Sequence, residues 1–533
     1  MSGALLPLFV ALPLLVSAVL LIVGDRRVLH AVGLLGTLLL AIAGGVWLVT
    51  DFAGSGGAVA HGVAQWPVGI SIPFVADMFA ALMLTVTGVL TLVCSWFTYA
   101  SGRAATVYFA PLVLVLTAGV NGSLLTVDLF NLFVFVEVML LPSYGLFVLA
   151  ARHRGTERQV MGARLYVTLN LLTSTIFLMG VGFIYGTAGT VNMAELAGRA
   201  ATDGTVAIST AVCLFALAIK AAVVPIHGWL AVAYPATSPA ITALFSGLHT
   251  KVASYAIYRI YAVVFDGDAH WLWIGVALCC LTMVAGVLGA VGEKTTRSIL
   301  AFHMISQIGY ILLGVALFTL AGLAAGIFYL LHHMIVKASL FLSTGAIEVR
   351  YMTGRIGALS GMATREPVIA VAFFVAALSL AGLPPFSGFV AKFSLILAAV
   401  DTGHVIAVIV MLAVSLVTLL SMLKIWNGVF WGSARESSLE NGGGSGAGGG
   451  PAARTAGSGA GTVPEPAPAA RDDGAVATAS GRRISAALAG PAVVTACLTL
   501  ALGLGAEVLM GVSTTAAEGL LDTSTYVKAV MDS

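Results

Sequence analysis

Along this chain, apolar runs of about 20 residues alternate with short polar segments, and each run is long enough to cross a hydrocarbon core of roughly 30 Å as a helix. The runs fall near 4–24, 29–49, 75–99, 106–125, 128–150, 163–186, 206–230 and 239–264, then near 271–291, 299–319, 322–346, 367–399, 403–431 and 485–512. This pattern predicts an all-α polytopic membrane protein with about 14 transmembrane helices. The first charged side chain is Asp25. The opening run therefore lacks the positive start and small-residue cleavage site of a secretory signal, and is expected to stay as the first membrane helix.

Two runs are interrupted by proline: Pro225 in FALAIKAAVVPIHGWL, and Pro384 with Pro385 in ALSLAGLPPFSGFVAKF. Proline removes a helix hydrogen bond and frees carbonyls about one turn earlier. Within a bilayer such backbone is tolerated only where protein or a water-filled cavity satisfies it. The broken helices are the seventh and twelfth runs, and the odd offset reverses orientation, which predicts two inverted five-helix repeats with transport sites at the breaks. The expected organisation is helices 1–3 in residues 1–105, a first repeat in 106–264 and a second in 265–431. A Gly/Ala/Pro-rich linker follows in 432–484, and 485–533 holds the last helix and a tail. The linker, with NGGGSGAGGGP and VPEPAPAA, is expected to be disordered and cytoplasmic. Ala516 to Met531 reads as a short amphipathic helix at the outer surface.

Composition narrows the class. At 59% hydrophobic, 9% charged and a mean hydropathy of +1.03, the chain is excluded from the soluble range. The 25 Lys+Arg against 23 Asp+Glu give no basic field for nucleic acid. All five cysteines sit in apolar runs without metal-ligand spacing and are expected to be inert. Basic residues gather in alternate loops: Arg26 and Arg27, Arg103, Arg152, Arg154 and Arg158, Lys294 and Arg297, then Arg350, Arg355 and Arg365. The opposite loops and the tail hold only Arg199 and Lys528, so the positive-inside rule places both termini outside the cytoplasm.

Candidate chemistry lies inside the runs. Glu137, in DLFNLFVFVEVM, is a carboxylate at membrane depth, where an ionisable group costs roughly 2.5–3.5 kcal/mol and marks a pathway or relay. The candidate bases are Lys220, His249, Lys251, His332, His333, Lys337 and Lys392. His249 and Lys251 are two apart and point in different directions, whereas His333 and Lys337 share a face. Burial opposes the charged form of a lysine and a nearby carboxylate favours it, so moving the counter-charge moves the proton. A Glu137–Lys220 pair that closes and opens would load and unload Lys220, passing protons through Lys251 toward His332, His333, Lys337 and Lys392. Asp77 and Asp128 stand at helix starts, where the helix dipole favours carboxylates. Too few oxygen ligands are left for a complete sodium site, and no metal or cofactor is expected.

These residues resemble a known family: the D subunits of multisubunit Mrp-type sodium/proton antiporters, homologous to antiporter-like membrane subunits of respiratory complex I. The match runs from about Pro67 to Gly432. GVNGSLLTVDLFNLFVFVEVML resembles the family's fourth-to-fifth helix block, ALFSGLHTKVASYAIYRI its eighth helix, ISQIGYILLG its tenth, HHMIVKASLFL its eleventh and LAGLPPFSGFVAKF its twelfth. The resemblance implies that Glu137, Lys220, Lys251 and Lys392 are the fifth-, seventh-, eighth- and twelfth-helix relay residues, with His332, His333 and Lys337 on the central relay. It further implies a hetero-oligomer with other Mrp subunits in a bacterial-type plasma membrane, with proton translocation coupled to sodium movement. His249 stands where the family is expected to have an apolar residue, and the long linker exceeds the family's usual length. The alternative is the proton-pumping subunit of an NADH-quinone oxidoreductase-type complex. An enzyme acting on lipid-linked substrates is disfavoured, because no folded domain or acid cluster is evident at the membrane surface.

Overall fold

The protein is described by a computed structural model covering residues 3–55, 57–66, 71–102, 106–151, 157–432 and 483–533. Helices α1 (Leu8–Val23), α2 (Arg27–Ser55) and α3 (Met78–Ala100) open the chain, with strands β1 (Val59–Gly62) and β2 (Pro73–Ala76) between the last two. There follow α4 (Phe109–Leu125), α5 (Leu129–Ala151), α6 (Glu157–Ala188), the short α7 (Arg199–Thr202), α8 (Gly204–Ala221), α9 (Gly228–Ala233) and α10 (Pro239–Val264). Next come α11 (Leu272–Gly292), α12 (Thr296–Leu317), α13 (Leu320–Tyr351), the short α14 (Met362–Arg365), α15 (Pro367–Ala381), α16 (Ser387–Asp401) and α17 (Val405–Ile425). Helices α18 (Ala486–Leu504), α19 (Ala506–Leu521) and α20 (Ser524–Met531) end the chain.

Among the described residues, eleven helices are long and apolar enough to cross a membrane, and Phe109–Leu125 and Pro367–Ala381 are shorter apolar helices. Helix α10 is more polar, carrying His249, Lys251 and Arg259, yet it is buried along nearly its whole length. Helix starts follow the side chains that can cap them. Asp77 accepts from the Ala80 N–H at 2.9 Å, Asp128 from Asn131 at 2.7 Å and Thr319 from Gly322 at 3.1 Å. In the exposed turn before α8, the Thr205 hydroxyl and N–H hold the Asp203 carboxyl below the usual carboxylate range.

Both proline-containing runs break where expected, and they break alike. Ala222 and Gly382 each adopt the left-handed conformation. The Ala222 and Val223 N–H groups return to Ala218, and those of Gly382 and Leu383 return to Leu378. Ile226 then donates to Val223 as Phe386 does to Leu383, so the two turns superimpose in sequence at an offset of 160 residues. At the second break glycine has a further reason: a Cβ on Gly382 would lie 2.7 Å from the Lys392 side chain.

Helix α13 is the axis of the fold. It packs against α3, α10, α12, α15, α16, α18 and α19, and the apolar stretch of it that would cross a membrane is wholly buried. A hydrophobic 32-residue helix enclosed on all sides is how this chain keeps His332, His333 and Lys337 away from lipid.

Beside the helices, β1 and β2 form a short antiparallel pair in the register Val59↔Ala76 to Gly62↔Pro73. One expectation needs correction: the tail is not one surface helix. The last long run stops at Gly505, and α19 continues along α13, burying Ser513, Ala516, Ala517 and Leu520. After a second interruption, α20 turns onto the β1–β2 pair and buries Tyr526 and Val530. Its apolar stripe therefore faces protein.

The Tyr526 ring lies 4.5 Å from the Arg259 guanidinium, which forms a buried ion pair with Asp77 at 2.7 Å. Removing one partner of such a pair strands the other charge, at about 3–5 kcal/mol. Asp77→Ala is therefore expected to destabilise the protein by that order, read as a lowered unfolding midpoint of the purified complex; an unchanged midpoint would rule out a stabilising role for the pair.

The expected disorder of 432–484 concerns residues that, for 433–482, lie outside the described set. The described ends of that segment dock near each other. The Trp431 carbonyl accepts from Gly361 at 3.1 Å, and the Ile484 N–H donates to Glu366 at 3.0 Å. Gly361 and Glu366 are five positions apart, a span of at most roughly 18 Å. Deleting residues 442–461 leaves ample chain to bridge it, so that variant is expected to assemble and transport as wild type, measured by co-purification and flux; loss of assembly would contradict a tether role.

Candidate functional site

The first half of the site is organised on α6. Ser174 donates to the Glu137 carboxylate, Asn170 Oδ1 accepts from Lys220 Nζ at 3.5 Å, and Tyr166 Oη meets His249 Nδ1 at 2.7 Å. These three residues are four apart and so share one face of the helix. Glu137 and Lys220 are near enough for the carboxylate charge to act on the ammonium, yet no ion pair joins them among the described residues. Beside Ser174 and Lys220 lies a cavity of about 10 Å³, walled by Val136, Thr173 and Leu217 among others. That is the lower limit for one water molecule. Glu137 itself is only partly buried by this chain, whereas Lys220 is 4% exposed.

His249 stacks on Phe245 at 4.5 Å, and Tyr166 links it onward to Ser143 at 3.0 Å. Lys251 faces elsewhere, toward His333 and Lys337, close enough for its charge to act on both. The two-residue spacing thus sends the two side chains to different partners.

The second half gathers on α12, α13 and α16. Lys337 Nζ donates to the Leu300 carbonyl at 2.9 Å, and His332 Nδ1 meets Ser387 Oγ at 2.8 Å. Lys392 Nζ donates to the Leu380 and Ala381 carbonyls at 3.0 Å each. Those two carbonyls would have bonded Pro384 and Pro385 in an unbroken helix, and proline offers no N–H. The lysine fills the gap that the break creates. At the first break there is a single proline, and the Trp229 ring N–H bonds the Ile219 carbonyl at 3.0 Å, leaving Lys220 to Asn170.

The charge census of the sequence missed His303. It is fully buried on α12, has neither ring nitrogen bonded to protein, and feels the charges of Lys337 and Lys392. Both ring nitrogens of His333 and Nε2 of His249 and His332 are likewise without protein partners. Tyr166, Asn170, Ser174, Tyr329 and Gln307 were also missed, Tyr329 donating to Gln307. The four-residue spacing of 166, 170 and 174 in an apolar run was a usable signal for the first three. Among the described residues no group of three or more His, Cys, Asp and Glu converges as metal ligands.

Broken helices enclosing a buried line of lysines and histidines define a multi-pass membrane protein of the transporter class. Comparison with known proteins specifies it. The family described as "NADH:quinone oxidoreductase/Mrp antiporter, TM" matches residues 126–418, and the chain belongs to that family. It is 40% identical over 420 residues to the D subunit of the Na(+)/H(+) antiporter of Alkalihalophilus pseudofirmus, covering 77% of this chain and 83% of that one. To the corresponding D subunit of Bacillus subtilis it is 32% identical, over 98% and 99% of the two chains. A chain in the Mrp complex structure from a Dietzia species aligns with a TM-score of 0.90 and 54% identity over 99% of both chains. A chain of Thermus thermophilus respiratory complex I with bound aureothin, at 22% identity, TM-score 0.70 and coverage of 94% and 98%, shares the fold. The resemblance drawn from the sequence is borne out.

Proposed function

We propose that this chain is the proton-translocating D subunit of a multisubunit Na⁺/H⁺ antiporter. The observation that carries it is the set of titratable groups inside the helix bundle, Lys220, Lys251, His333, Lys337 and Lys392 buried and Glu137 partly so, beside two matched helix breaks. Buried ring nitrogens without protein partners in that set are groups that water must satisfy. The sequence similarity to the D subunits of Na(+)/H(+) antiporters, across nearly the full chain, supports the sodium coupling and the hetero-oligomer.

In this reading the chain crosses the membrane fourteen times, and the bundles of 106–264 and 265–431 are inverted repeats, a relation supported by the constant offset of their breaks. The basic loops lie in the cytoplasm of a bacterial-type cell, the membrane is the plasma membrane, and both termini are extracytoplasmic. Closing the Glu137–Lys220 pair holds a proton on Lys220, and opening it releases the proton toward Lys251 and the second half. His249, held by Tyr166, joins the first half of the relay. Partial exposure of Glu137 fits a site completed by a neighbouring subunit.

The test is sodium-driven proton exchange by the purified complex in vesicles, followed with a pH-sensitive dye. Exchange is expected from the wild-type complex, with Lys392→Ala reduced to background. Proton movement that requires a quinone and ignores sodium would favour the alternative, an NADH-quinone oxidoreductase-type subunit.

A further inference from the structure

Helices α6 and α13 are both 32 residues long, and their ends correspond at an offset of 163 residues. At that same offset Tyr166 matches Tyr329, Asn170 matches His333, and Ser174 matches Lys337. The contacts correspond as well. Tyr166 bonds Ser143 on α5, and Tyr329 bonds Gln307 on α12. Ser174 reaches Glu137 on α5, and Lys337 reaches the Leu300 carbonyl on α12. One stripe of the fold is thus used twice, with ionisable side chains on α13 and neutral ones on α6, beside Glu137.

The neutral stripe occupies both members of the charge pair. Ser174 and Asn170 are one turn apart, about 6 Å along the axis. Ser174 holds Glu137, while Asn170 holds Lys220. The amide of Asn170 is oriented for this, since its Nδ2 donates to the Tyr166 carbonyl at 2.8 Å and leaves Oδ1 toward the lysine. Asn170 is 4% exposed and Ser174 5%, so bulk water does not replace either bond. Direct pairing of Glu137 with Lys220 must displace these partners.

We infer that Ser174 and Asn170 are positioning residues that hold Glu137 and Lys220 apart by competing for them, and so set how readily the pair closes. This rests on the proposed relay. Without the competitors the ion pair is locked and Lys220 keeps its proton.

The experiment compares Ser174→Ala, Asn170→Ala, Ser174→Thr and Glu137→Gln in the assembled complex, with co-purification checked for each and sodium-driven proton flux measured in vesicles. Ser174→Ala and Asn170→Ala are each expected to slow flux about tenfold, the order expected when a charged group loses a hydrogen-bond partner. Ser174→Thr, which keeps the hydroxyl, is expected to restore it. Wild-type flux in both alanine variants alongside a silent Glu137→Gln overturns the inference and spares the relay. Ser174→Thr as slow as Ser174→Ala overturns it too, since packing alone then explains the loss. Full flux in Glu137→Gln overturns the relay reading itself.

Discussion

Glu137→Gln is expected to lower sodium-driven proton flux by at least about tenfold, equivalent to ~1.4 kcal/mol, while the complex still assembles. Glutamine keeps the size of the side chain and a carbonyl that can accept from Ser174, so the local packing survives. What it removes is the negative charge that acts on Lys220. Because Glu137 is the mid-membrane carboxylate of the proposed relay, no other residue of that relay can supply the charge. Undiminished flux would mean that the carboxylate is structural, in which case the hydrogen bond to Ser174 is its whole role.

Lys220→Arg is expected to fail as completely as Lys220→Ala, measured by the same flux in the same vesicles. A guanidinium stays protonated at every physiological pH, so it can hold an ion pair with Glu137 but cannot release a proton to Lys251. It is also planar and larger, and the seat beside Asn170 and Ala216 is closed, with Lys220 only 4% exposed. The alanine variant separates the two effects because it has room to spare. Activity in the arginine variant with none in the alanine variant would show that Lys220 serves as a fixed charge rather than a proton carrier.

Much of this site could be read from the chain because its chemistry is costly. A carboxylate or lysine in a long apolar run stands out, and proline marks the breaks; Glu137, Lys220 and Lys392 were legible for those reasons. The partners that decide their geometry were not. Ser174 and Asn170 are ordinary residues in any membrane helix, and nothing in their identity says which neighbour they face. The sequence implied a Glu137–Lys220 pair that closes and opens, but not that in the structure each is held by a residue of α6. Lys392 could be placed beside a break, but only the fold shows it bonding the two carbonyls that Pro384 and Pro385 leave free. The tail misled for a related reason. An amphipathic helix needs an apolar surface, and periodicity cannot distinguish lipid from the β1–β2 pair that α20 covers.

The halves also divide the work differently from what their residue lists suggest. His249 and Lys251 are neighbours in sequence but turn to different partners, and His303 brings a buried titratable ring to α12. Helix α13 thus holds His332, His333 and Lys337 enclosed on all sides, while Glu137 on α5 is only partly buried.

The most direct measurement is a structure of the assembled complex at a resolution that shows ordered water between Glu137 and Lys392. A connected chain of waters and side chains is expected from the cavity at Ser174 and Lys220, past Lys251, His333 and Lys337, to Lys392. A dry, packed gap between Lys220 and Lys251, in a complex that still exchanges sodium for protons, would contradict it.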